Sequence, residues 1–381
     1  MHAELIAIGS ELVLGEIIDT NSAHVAQKLR TIGLGVERFS AIGDDVNAIA
    51  RLVQEAAARA TVIITTGGLG PTVDDPTREA IARAFGKTLE YRPELWEQIA
   101  ERFRKFGRTP TENNRQQAYV PAGAIPLENP VGTAPCFIVE HENGAVICLP
   151  GVPREMEHML ETRILPYLRE RFNLRGLIKA KLLRTVGIGE SMLDAEIGEL
   201  EKLTNPTVGL NAHAGAVDVR ITAKAESEAE ADALIAPVAA EVREKLGEYI
   251  FAEEKISLEE VLLQMLATRG LTLAIAEDGT RGALNAKLAI LPQAAQTYRG
   301  AAVLTSAPLA EEATRLRAER SADLALALRV TATPEEKRIE TALASAAGVK
   351  THTQTYGGAL TNLNAWAITV ALNQIRLRVK V

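Results

Sequence analysis

The sequence predicts an α/β protein in three successive units: a doubly wound α/β domain over residues 1–172, a small α+β domain over residues 176–253 and a third α/β domain over residues 256–381. In the first unit short apolar runs alternate with segments of helical period, which is typical of a parallel sheet covered by helices. The pattern changes around residues 173–176, and a third series of elements starts at Ser257. A chain of 381 residues has room for two or three domains of about 100–200 residues.

The elements of the first domain follow from its hydrophobic periodicity. The segment 61–66 consists entirely of β-branched residues, which suits a central strand of a parallel sheet. In the first long helix, Val25, Leu29 and Ile32 fall on one apolar face. We therefore expect strands at residues 4–9, 36–42 and 61–66 and helices at residues 22–31, 46–59 and 76–85.

A β-hairpin is predicted near the end of the first domain. The apolar runs 137–140 and 145–149 flank the turn Glu142-Asn143-Gly144, and an Asn-Gly pair is a strong hairpin signal. A helix is expected from Arg154, after a proline- and glycine-rich break. In the later units we expect strands at residues 181–186, 217–225 and 271–276, and helices at residues 191–200, 228–246 and 258–269.

Composition and charge narrow the class of protein. The formal net charge of −7 argues against the broad basic face of a nucleic-acid-binding domain. Cys136 and Cys148 lie in apolar runs without a metal-binding motif, so we expect buried, reduced thiols in strands and a reducing, cytoplasmic compartment. The opening Met1-His2-Ala3-Glu4 lacks the basic region of a signal peptide, and no uncharged apolar run reaches the ~18 residues of a membrane span.

The most informative segment is a glycine-rich loop, Gly67-Gly68-Leu69-Gly70-Pro71-Thr72-Val73-Asp74-Asp75. It follows a buried strand and precedes a helix, which is the place where open α/β sheets bind ligands. Gly67, Gly68 and Gly70 would let the backbone approach a ligand closely, and the following helix N-terminus favours a phosphate. The loop therefore predicts a phosphorylated, nucleotide-like ligand.

Two carboxylates end this loop, and each has a structural and a functional interpretation. Asp75 precedes Pro76, so it is expected to cap the helix with proline at the first helical position. A capping aspartate at a phosphate site can still reach a metal ion. Asp74 has no such structural reason and could hold Mg²⁺, although a solvated loop carboxylate explains it equally well. Asp74 and Asp75 are therefore the candidate metal ligands.

Two further polar segments follow predicted strands at the same edge of the sheet. Gly9-Ser10-Glu11-Leu12 leads to Asp19-Thr20-Asn21-Ser22, and Gly43-Asp44-Asp45 follows the second strand. Helix capping by Ser22 and by Asp45 would explain part of this pattern. Three polar clusters at one edge are more than helix capping requires, so we expect a binding site there. Besides the loop glycines, the side chains expected to contact a substrate are Ser10, Glu11, Asn21 and Thr72.

The motifs described so far are joined by others further along the chain. They are Pro130-Val131-Gly132-Thr133-Ala134-Pro135, Leu149-Pro150-Gly151-Val152-Pro153-Arg154-Glu155-Met156 and Thr185-Val186-Gly187-Ile188-Gly189-Glu190-Ser191. Together they resemble the CinA-like competence/damage-inducible proteins. The resemblance implies a molybdopterin-binding-type, three-layer fold for domain one. It also implies pyrophosphatase activity on ADP-ribose-like compounds with a divalent metal (Mg, Mn or Co).

The same resemblance assigns roles to two carboxylates. Asp44 and Asp75 match the positions of two acidic site residues in the wider molybdopterin-binding group, so they are the candidate catalytic residues. Cys136 is a departure, because the family usually has glycine after Thr133-Ala134-Pro135. Two alternatives stay open: a domain that binds a nucleotide or pterin without cleaving it, and an interaction protein in competence and the DNA-damage response.

The third domain resembles a nicotinamide mononucleotide deamidase with a degenerate site. The family signature Ala-Glu-Ser-Cys-Thr-Gly-Gly is here Ala276-Glu277-Asp278-Gly279-Thr280-Arg281-Gly282, with Asp278 at the nucleophilic serine. Gly279 and Thr280 complete the degenerate positions. A Tyr-Ser-Asn motif reads Thr305-Ser306-Ala307, with Ala310 in place of a lysine, and a glycine loop reads Val330-Thr331-Ala332-Thr333-Pro334. We expect a folded domain without deamidase activity.

The middle domain resembles the KH-like module of the family. Gly187-Ile188-Gly189 is not the GXXG loop of a nucleic-acid-binding KH domain, and no basic cluster accompanies it. We therefore expect no nucleic-acid partner and no membrane association, and a spacer or dimerisation role for this domain. The expected partners are a nucleotide-like substrate, a second copy of the chain and, under the third hypothesis, recombination proteins.

Overall fold

The computed structural model describes residues 1–380. By its internal contacts the chain divides into two compact units, the first made of Met1–Lys179 with Lys224–Asp232 and the second of the remaining residues. The predicted division into three domains stays a prediction.

The first unit is organised around a mixed β-sheet. Its strands are β1 (Ala3–Ile8), β2 (Val36–Ile42), β3 (Val62–Thr66), β4 (Leu89–Tyr91), β5 (Tyr119–Pro121), β6 (Ile125–Leu127), β7 (Cys136–His141) and β8 (Gly144–Leu149). Six of them form one sheet in the order β2-β1-β3-β8-β7-β6, while β4 pairs with β5. The neighbours from β2 to β8 run parallel, and β7 and β6 run antiparallel to their neighbours. The predicted central, parallel position of β3 is confirmed.

Helices cover both faces of this sheet. They are α1 (Ser10–Val13), α2 (Thr20–Arg30), α3 (Val46–Ala57), α4 (Thr77–Ala84), α5 (Pro93–Lys105), α6 (Pro153–Met159) and α7 (Leu165–Phe172), with a 3-10 helix at Glu112–Ala118 and a π-helical turn at Leu160–Ile164. Alternate strand residues separate two cores, since Ile63 packs with α3, α4 and α5 while Ile64 packs with α2, α6 and α7. The result is the expected three-layer arrangement.

The predicted turn and helix caps of this unit have different outcomes. The hairpin is confirmed, because His141 pairs with Gly144 across a two-residue turn. The expected capping of the first long helix by Ser22 is wrong: α2 begins at Thr20, and the Asp19 side chain accepts a hydrogen bond from the Ser22 backbone N–H. Asp45 caps α3 as expected by accepting from the Ala48 N–H. Both Asp19 and Ser22 are good caps, and only the position of the first helical turn decides between them.

The middle region forms a four-stranded sheet with two helices. Its elements are β9 (Leu177–Val186), α8 (Glu190–Glu201), β10 (Thr207–His213), β11 (Ala216–Ala225), α9 (Glu228–Leu246), a 3-10 helix at Gly247–Tyr249 and β12 (Ile250–Ala252), with the strand order β10-β11-β9-β12. The expected β-α-β-α order lacked β10 and the three-residue strand β12. The edge strand β10 pairs with β11 and is largely exposed, and it contains Gly209 and Asn211, residue types that are depleted in strands.

The C-terminal region is a five-stranded sheet between helical layers. Its elements are α10 (Leu258–Arg269), β13 (Leu273–Asp278), α11 (Ala283–Ala289), α12 (Ala294–Thr297), β14 (Tyr298–Val303), α13 (Leu309–Glu319), β15 (Leu324–Ala332), β16 (Lys337–Ser345), β17 (Gly348–Thr355) and α14 (Leu360–Lys380), with the strand order β14-β13-β15-β16-β17. In β15, leucines such as Leu326 pack in the core with α10 and α14. The alternating alanines Ala325 and Ala327 face the other way and let α13 pack closely.

The cysteines lie where the sequence predicts. Cys136 in β7 and Cys148 in β8 are free and buried. Burial raises the pKa of the Cys148 thiol to about 12 and that of Cys136 further, so both thiols stay protonated and inert. Within residues 1–380, no helix combines the length and the hydropathy needed to cross a bilayer.

Candidate active site

A cleft of about 530 Å³ opens at the carboxyl edge of the parallel strands in the first unit. Loops after β1, β3 and β8 line it, as expected for the ligand site of an open α/β sheet. Most of the predicted site residues line this cleft: Glu11, Asn21, Asp44, Gly67, Gly68, Gly70, Asp74 and Asp75. Ser10 and Thr72 instead contact two of these carboxylates.

The glycine loop is shaped first by its own packing. Gly67 and Gly68 have φ angles of +105° and +64°, in the region that favours glycine. A Cβ atom on Gly67 would lie 2.1 Å from the Ile8 carbonyl oxygen, and one on Gly68 would lie 2.2 Å from Thr77 Oγ1. The Thr77 hydroxyl donates to the Gly67 carbonyl at 2.8 Å and so fixes the turn. Neither glycine can be replaced without moving the loop.

The N–H groups of the loop are not equally available to a ligand. The Gly67 N–H donates to the Leu149 carbonyl at 3.0 Å, and the Gly70 N–H donates to Asp75 Oδ1 at 2.7 Å. Within residues 1–380, the N–H groups of Gly68 and Leu69 have no hydrogen-bond acceptor. Both residues line the cleft, so their N–H groups are backbone donors that the loop can offer to a phosphate there.

A buried arginine supports the loop from inside the protein. Arg78 in α4 is 5% exposed and donates to the carbonyls of Leu69 at 2.7 Å and Gly70 at 3.3 Å. Burial lowers its pKa to about 10, partly offset by the charge of Asp75. Because Arg78 holds these two carbonyl oxygens, they are not turned towards a bound anion. Sequence reasoning missed this residue, since nothing in its position within α4 distinguishes it from a surface arginine.

Asp75 stabilises the glycine loop through hydrogen bonds, and the prediction that it caps α4 is wrong. Helix α4 starts at Thr77, its N-terminal flanking residue is Pro76, and no side chain caps it. Asp75 Oδ1 accepts from the Gly70 N–H, while Oδ2 accepts from the Thr72 N–H at 2.8 Å and from Thr72 Oγ1 at 2.5 Å. The donors of the preceding turn lie within reach of the carboxylate, so it folds back over the loop.

Asp44 performs a similar function between two loops. Its Oδ2 accepts from the Ser10 N–H at 2.9 Å and from Ser10 Oγ at 2.7 Å. The residue before α1 is Gly9, which has no side chain to cap the helix, so Asp44 supplies the acceptor from the loop after β2. This contact places a carboxylate on the wall of the cleft.

Asn21 lines the cleft and holds an unpaired acceptor buried in its wall. Its Nδ2 donates to the Gly151 carbonyl at 2.7 Å, which joins the start of α2 to the loop after β8. Its Oδ1 is buried and has no hydrogen-bond donor among residues 1–380. An unpaired buried acceptor costs about 1–3 kcal/mol, so a ligand hydroxyl or amine that donates to Oδ1 would recover this energy.

Asp74 is the exposed carboxylate of the cleft. The nearby Thr72 hydroxyl and its own backbone N–H hold the pKa of Asp74 below the ordinary value, so it is ionised at neutral pH. No group of three or more His, Cys, Asp or Glu side chains in residues 1–380 could hold a metal ion. Since Mg²⁺ is often bound by one or two carboxylates together with substrate phosphates and water, this donor set fits a metal that arrives with a diphosphate.

The degenerate deamidase segment lies at the end of β13 in the second unit. Asp278 is exposed, and Gly279 has a φ angle of +82°. Thr280 is buried, and its hydroxyl donates to Glu277 Oε2. Glu277 also accepts from the N–H groups at the start of α11. Arg281 has a positive φ of 57°, a conformation that glycine adopts without strain.

Two family models match successive parts of the chain. Residues 4–170 match the family described as "Probable molybdopterin binding domain", and residues 180–252 match "Damage-inducible protein CinA KH domain". Among solved structures, the protein CinA from Thermoplasma acidophilum has 34% sequence identity and a TM-score of 0.41, with 43% of this chain and 96% of that chain covered. The molybdopterin biosynthesis enzyme MoaB of Thermus thermophilus has 20% identity and a TM-score of 0.33, with 45% and 94% covered.

Sequence relatives extend further along the chain. A competence-damage inducible protein of Halothermothrix orenii is 42% identical over 306 residues, which cover 80% of this chain and 74% of that protein. A CinA-like protein of Dictyoglomus thermophilum is 39% identical over 304 residues, with 80% and 74% covered. The chain therefore belongs to the CinA family of competence- and damage-inducible proteins, with a molybdopterin-binding fold in its first domain and a CinA KH domain after it.

Proposed function

We propose that the first domain binds a nucleoside diphosphate-linked compound such as ADP-ribose in the cleft and hydrolyses its diphosphate bond. One observation carries the proposal: the same cleft is lined by free N–H donors and an ionised carboxylate, with an unpaired acceptor buried in its wall. The N–H groups of Gly68 and Leu69 suit a phosphate, and Asn21 Oδ1 suits a ribose hydroxyl. Asp74 suits a divalent cation.

Each residue has a defined part in this proposal. Asp75 and Arg78 hold the loop so that its two free N–H groups are preorganised, and preorganised donors stabilise charge that develops on phosphate oxygens. Asp44 fixes the loop after β1 through Ser10. Asp74 would hold Mg²⁺, Mn²⁺ or Co²⁺ together with the substrate phosphates. The metal would supply neutralisation of charge on the bridging and non-bridging oxygens.

A second candidate is a nucleotide- or pterin-binding module without catalysis. It is favoured by one observation: Asp75 is committed to three loop hydrogen bonds, which leaves Asp74 as the adjacent carboxylate for a metal. Under this candidate the domain binds its ligand tightly but does not turn it over. A role in competence or damage response, as the names of the relatives suggest, would then depend on partner proteins.

A hydrolysis assay with a metal screen separates the two candidates. The full chain is incubated with ADP-ribose and Mg²⁺, Mn²⁺ or Co²⁺, and the nucleoside monophosphate and sugar phosphate are separated by chromatography. Asp74→Asn should lower turnover at least about tenfold and raise the metal concentration required. Asp45→Asn, a cap substitution outside the cleft lining, should behave as the native chain. Binding without turnover in the native chain would favour the second candidate.

Gly68→Val should abolish nucleotide binding. The valine would need a positive φ and would place its Cβ on Thr77 Oγ1, at a cost of roughly 1–3 kcal/mol. Gly86→Val is the matched control, because Gly86 has a similar φ of +61° with open space around its Cβ position. Calorimetry with ADP-ribose measures the affinity, and thermal unfolding measures the cost to the fold. Native affinity in a folded Gly68→Val protein would rule out the loop as the phosphate site.

A further inference from the structure

A half-buried glutamate in the cleft has no role in the function proposed so far. Glu155 is the third residue of α6, and its side chain lines the cleft together with the loop Gly67–Asp75. It belongs to the motif Pro150-Gly151-Val152-Pro153-Arg154-Glu155-Met156, whose sequence alone assigns no function to this acid. Acidic residues in a first helical turn are common, so its contacts decide whether it is more than a helix-terminal charge.

The segment that packs against Glu155 is built around its carboxylate. Asn129 Nδ2 donates to Glu155 Oε2 at 2.6 Å and to the Ala134 carbonyl at 3.0 Å. Asn129 Oδ1 accepts from the N–H groups of Val131 and Gly132, so this buried amide is fully used in holding the segment. A Cβ on Gly132 would lie 1.9 Å from Glu155 Oε2. The carboxylate is therefore fixed in orientation while it lines the cleft.

The electrostatic surroundings make this carboxylate a better proton acceptor. Burial raises the pKa of Glu155, opposed by the Asn129 hydrogen bond and by the charge of Arg102 on α5. From β7 the neighbouring group is Cys136, whose thiol stays neutral because burial raises its pKa. The other titratable groups that line the cleft are all acidic: Glu11, Asp19, Asp44, Asp74 and Asp75. A raised pKa brings a carboxyl group nearer to the range in which general bases work at neutral pH.

We infer that Glu155 is the general base of the proposed hydrolysis, with Asn129 as its positioning residue; this inference rests on the proposed function. A water oxygen forms a bond to one phosphorus of the diphosphate, and its proton passes to a Glu155 carboxylate oxygen. The bond between that phosphorus and the bridging oxygen breaks. The bridging oxygen leaves with the electron pair on the second phosphate, and the products are a nucleoside monophosphate and a sugar phosphate. The proton then returns to solvent.

The test compares Glu155→Gln with Glu157→Gln in the full chain. Glutamine keeps an acceptor for Asn129 Nδ2 but cannot take a proton, so kcat for ADP-ribose with Mg²⁺ should fall by on the order of 100-fold with little change in KM. Glu157 lies on the same helix, is exposed and pairs with His24, so its variant should keep native turnover. Unfolding temperatures check that both variants remain folded.

The pH profile gives a second readout that a purely structural contact would not move. A base must be deprotonated, so kcat of the native chain should fall as the pH drops through the pKa of Glu155, and this acidic limb should vanish in Glu155→Gln. Arg102 lowers that pKa, so Arg102→Gln should move the limb to higher pH. Carbon-13 NMR of the glutamate carboxyl groups should show the same upward shift without substrate.

Each outcome decides between the proposals. Native turnover in Glu155→Gln, or an acidic limb that Arg102→Gln leaves in place, would overturn the assignment of Glu155 as the general base. The proposed hydrolase function would still stand. A native chain that binds ADP-ribose without cleaving it, under every metal tested, would overturn both. Loss of kcat and of the acidic limb in Glu155→Gln alone would support both.

Discussion

Asp75→Asn is expected to lower turnover of ADP-ribose by roughly 100-fold and to weaken nucleotide binding as well. The carboxylate accepts three hydrogen bonds from the Gly70 N–H, the Thr72 N–H and the Thr72 hydroxyl. An asparagine has one oxygen, so its amide NH₂ would be directed at one of these donors. The loop would then relax, and the free N–H groups of Gly68 and Leu69 would lose their fixed direction.

The measurement pairs steady-state kinetics with calorimetry. Asp45→Asn is the matched control, because Asp45 caps α3 through the Ala48 N–H and asparagine is an equally good cap. If Asp75 bound a metal ion without holding the loop, Asp75→Asn would lose turnover but keep the native affinity for the nucleotide. Unchanged turnover in Asp75→Asn would contradict both the role of Asp75 in holding the glycine loop and any direct catalytic role for this residue.

The second large effect is an absence: the full chain should release no measurable ammonia from nicotinamide mononucleotide. Asp278 stands where the resemblance places the attacking serine, and it is exposed at the end of β13. The Thr280 hydroxyl donates to Glu277, and the same carboxylate also accepts hydrogen bonds from two backbone N–H groups at the start of α11. Losing a single oxyanion donor costs on the order of 10²–10³ in rate, so losing the nucleophile together with its neighbours should leave no activity.

The supporting residues are also altered. Arg281 replaces a glycine at a positive φ, and Pro334 has no N–H to offer an oxyanion. Asp278→Ser alone should therefore not restore deamidation, and an ammonium standard in the same mixture fixes the detection limit. Ser306 is the exposed serine that could serve if the alignment is shifted. Clear ammonia release that disappears in Ser306→Ala or in Asp278→Ala would show that the domain is active.

Local sequence patterns were enough to predict most of the strands and turns near the site. The β-branched run predicted β3, the Asn-Gly turn predicted the hairpin of β7 and β8, and the glycine loop was placed between a strand and a helix. These features depend on neighbours within a few residues, where steric preference and hydrophobic period act. The family was identified on the same basis, because its motifs are contiguous segments of the chain.

Side-chain partners were decided only by the tertiary structure. Asn21 pairs with Gly151, and Asp44 pairs with Ser10, across 130 and 34 residues of sequence. Asp75 turned back to its own loop instead of capping α4, because the competing donors lie in a turn whose shape Arg78 fixes from the core. A carboxylate beside a proline has the same local sequence in either arrangement.

The sequence by itself determined the strands β1, β2, β3, β7 and β8 and the helices α2, α3, α4 and α6 of the first domain, the edge of the sheet where a site would form and the family of the chain, whereas it did not predict α1, α5 or the short strands β4, β5 and β6. Only the tertiary structure decided which polar groups in that site are already satisfied and which remain open to a ligand. The physical reason is that a hydrogen bond saturates its donor, and whether a distant acceptor reaches that donor first depends on the packing of the whole domain.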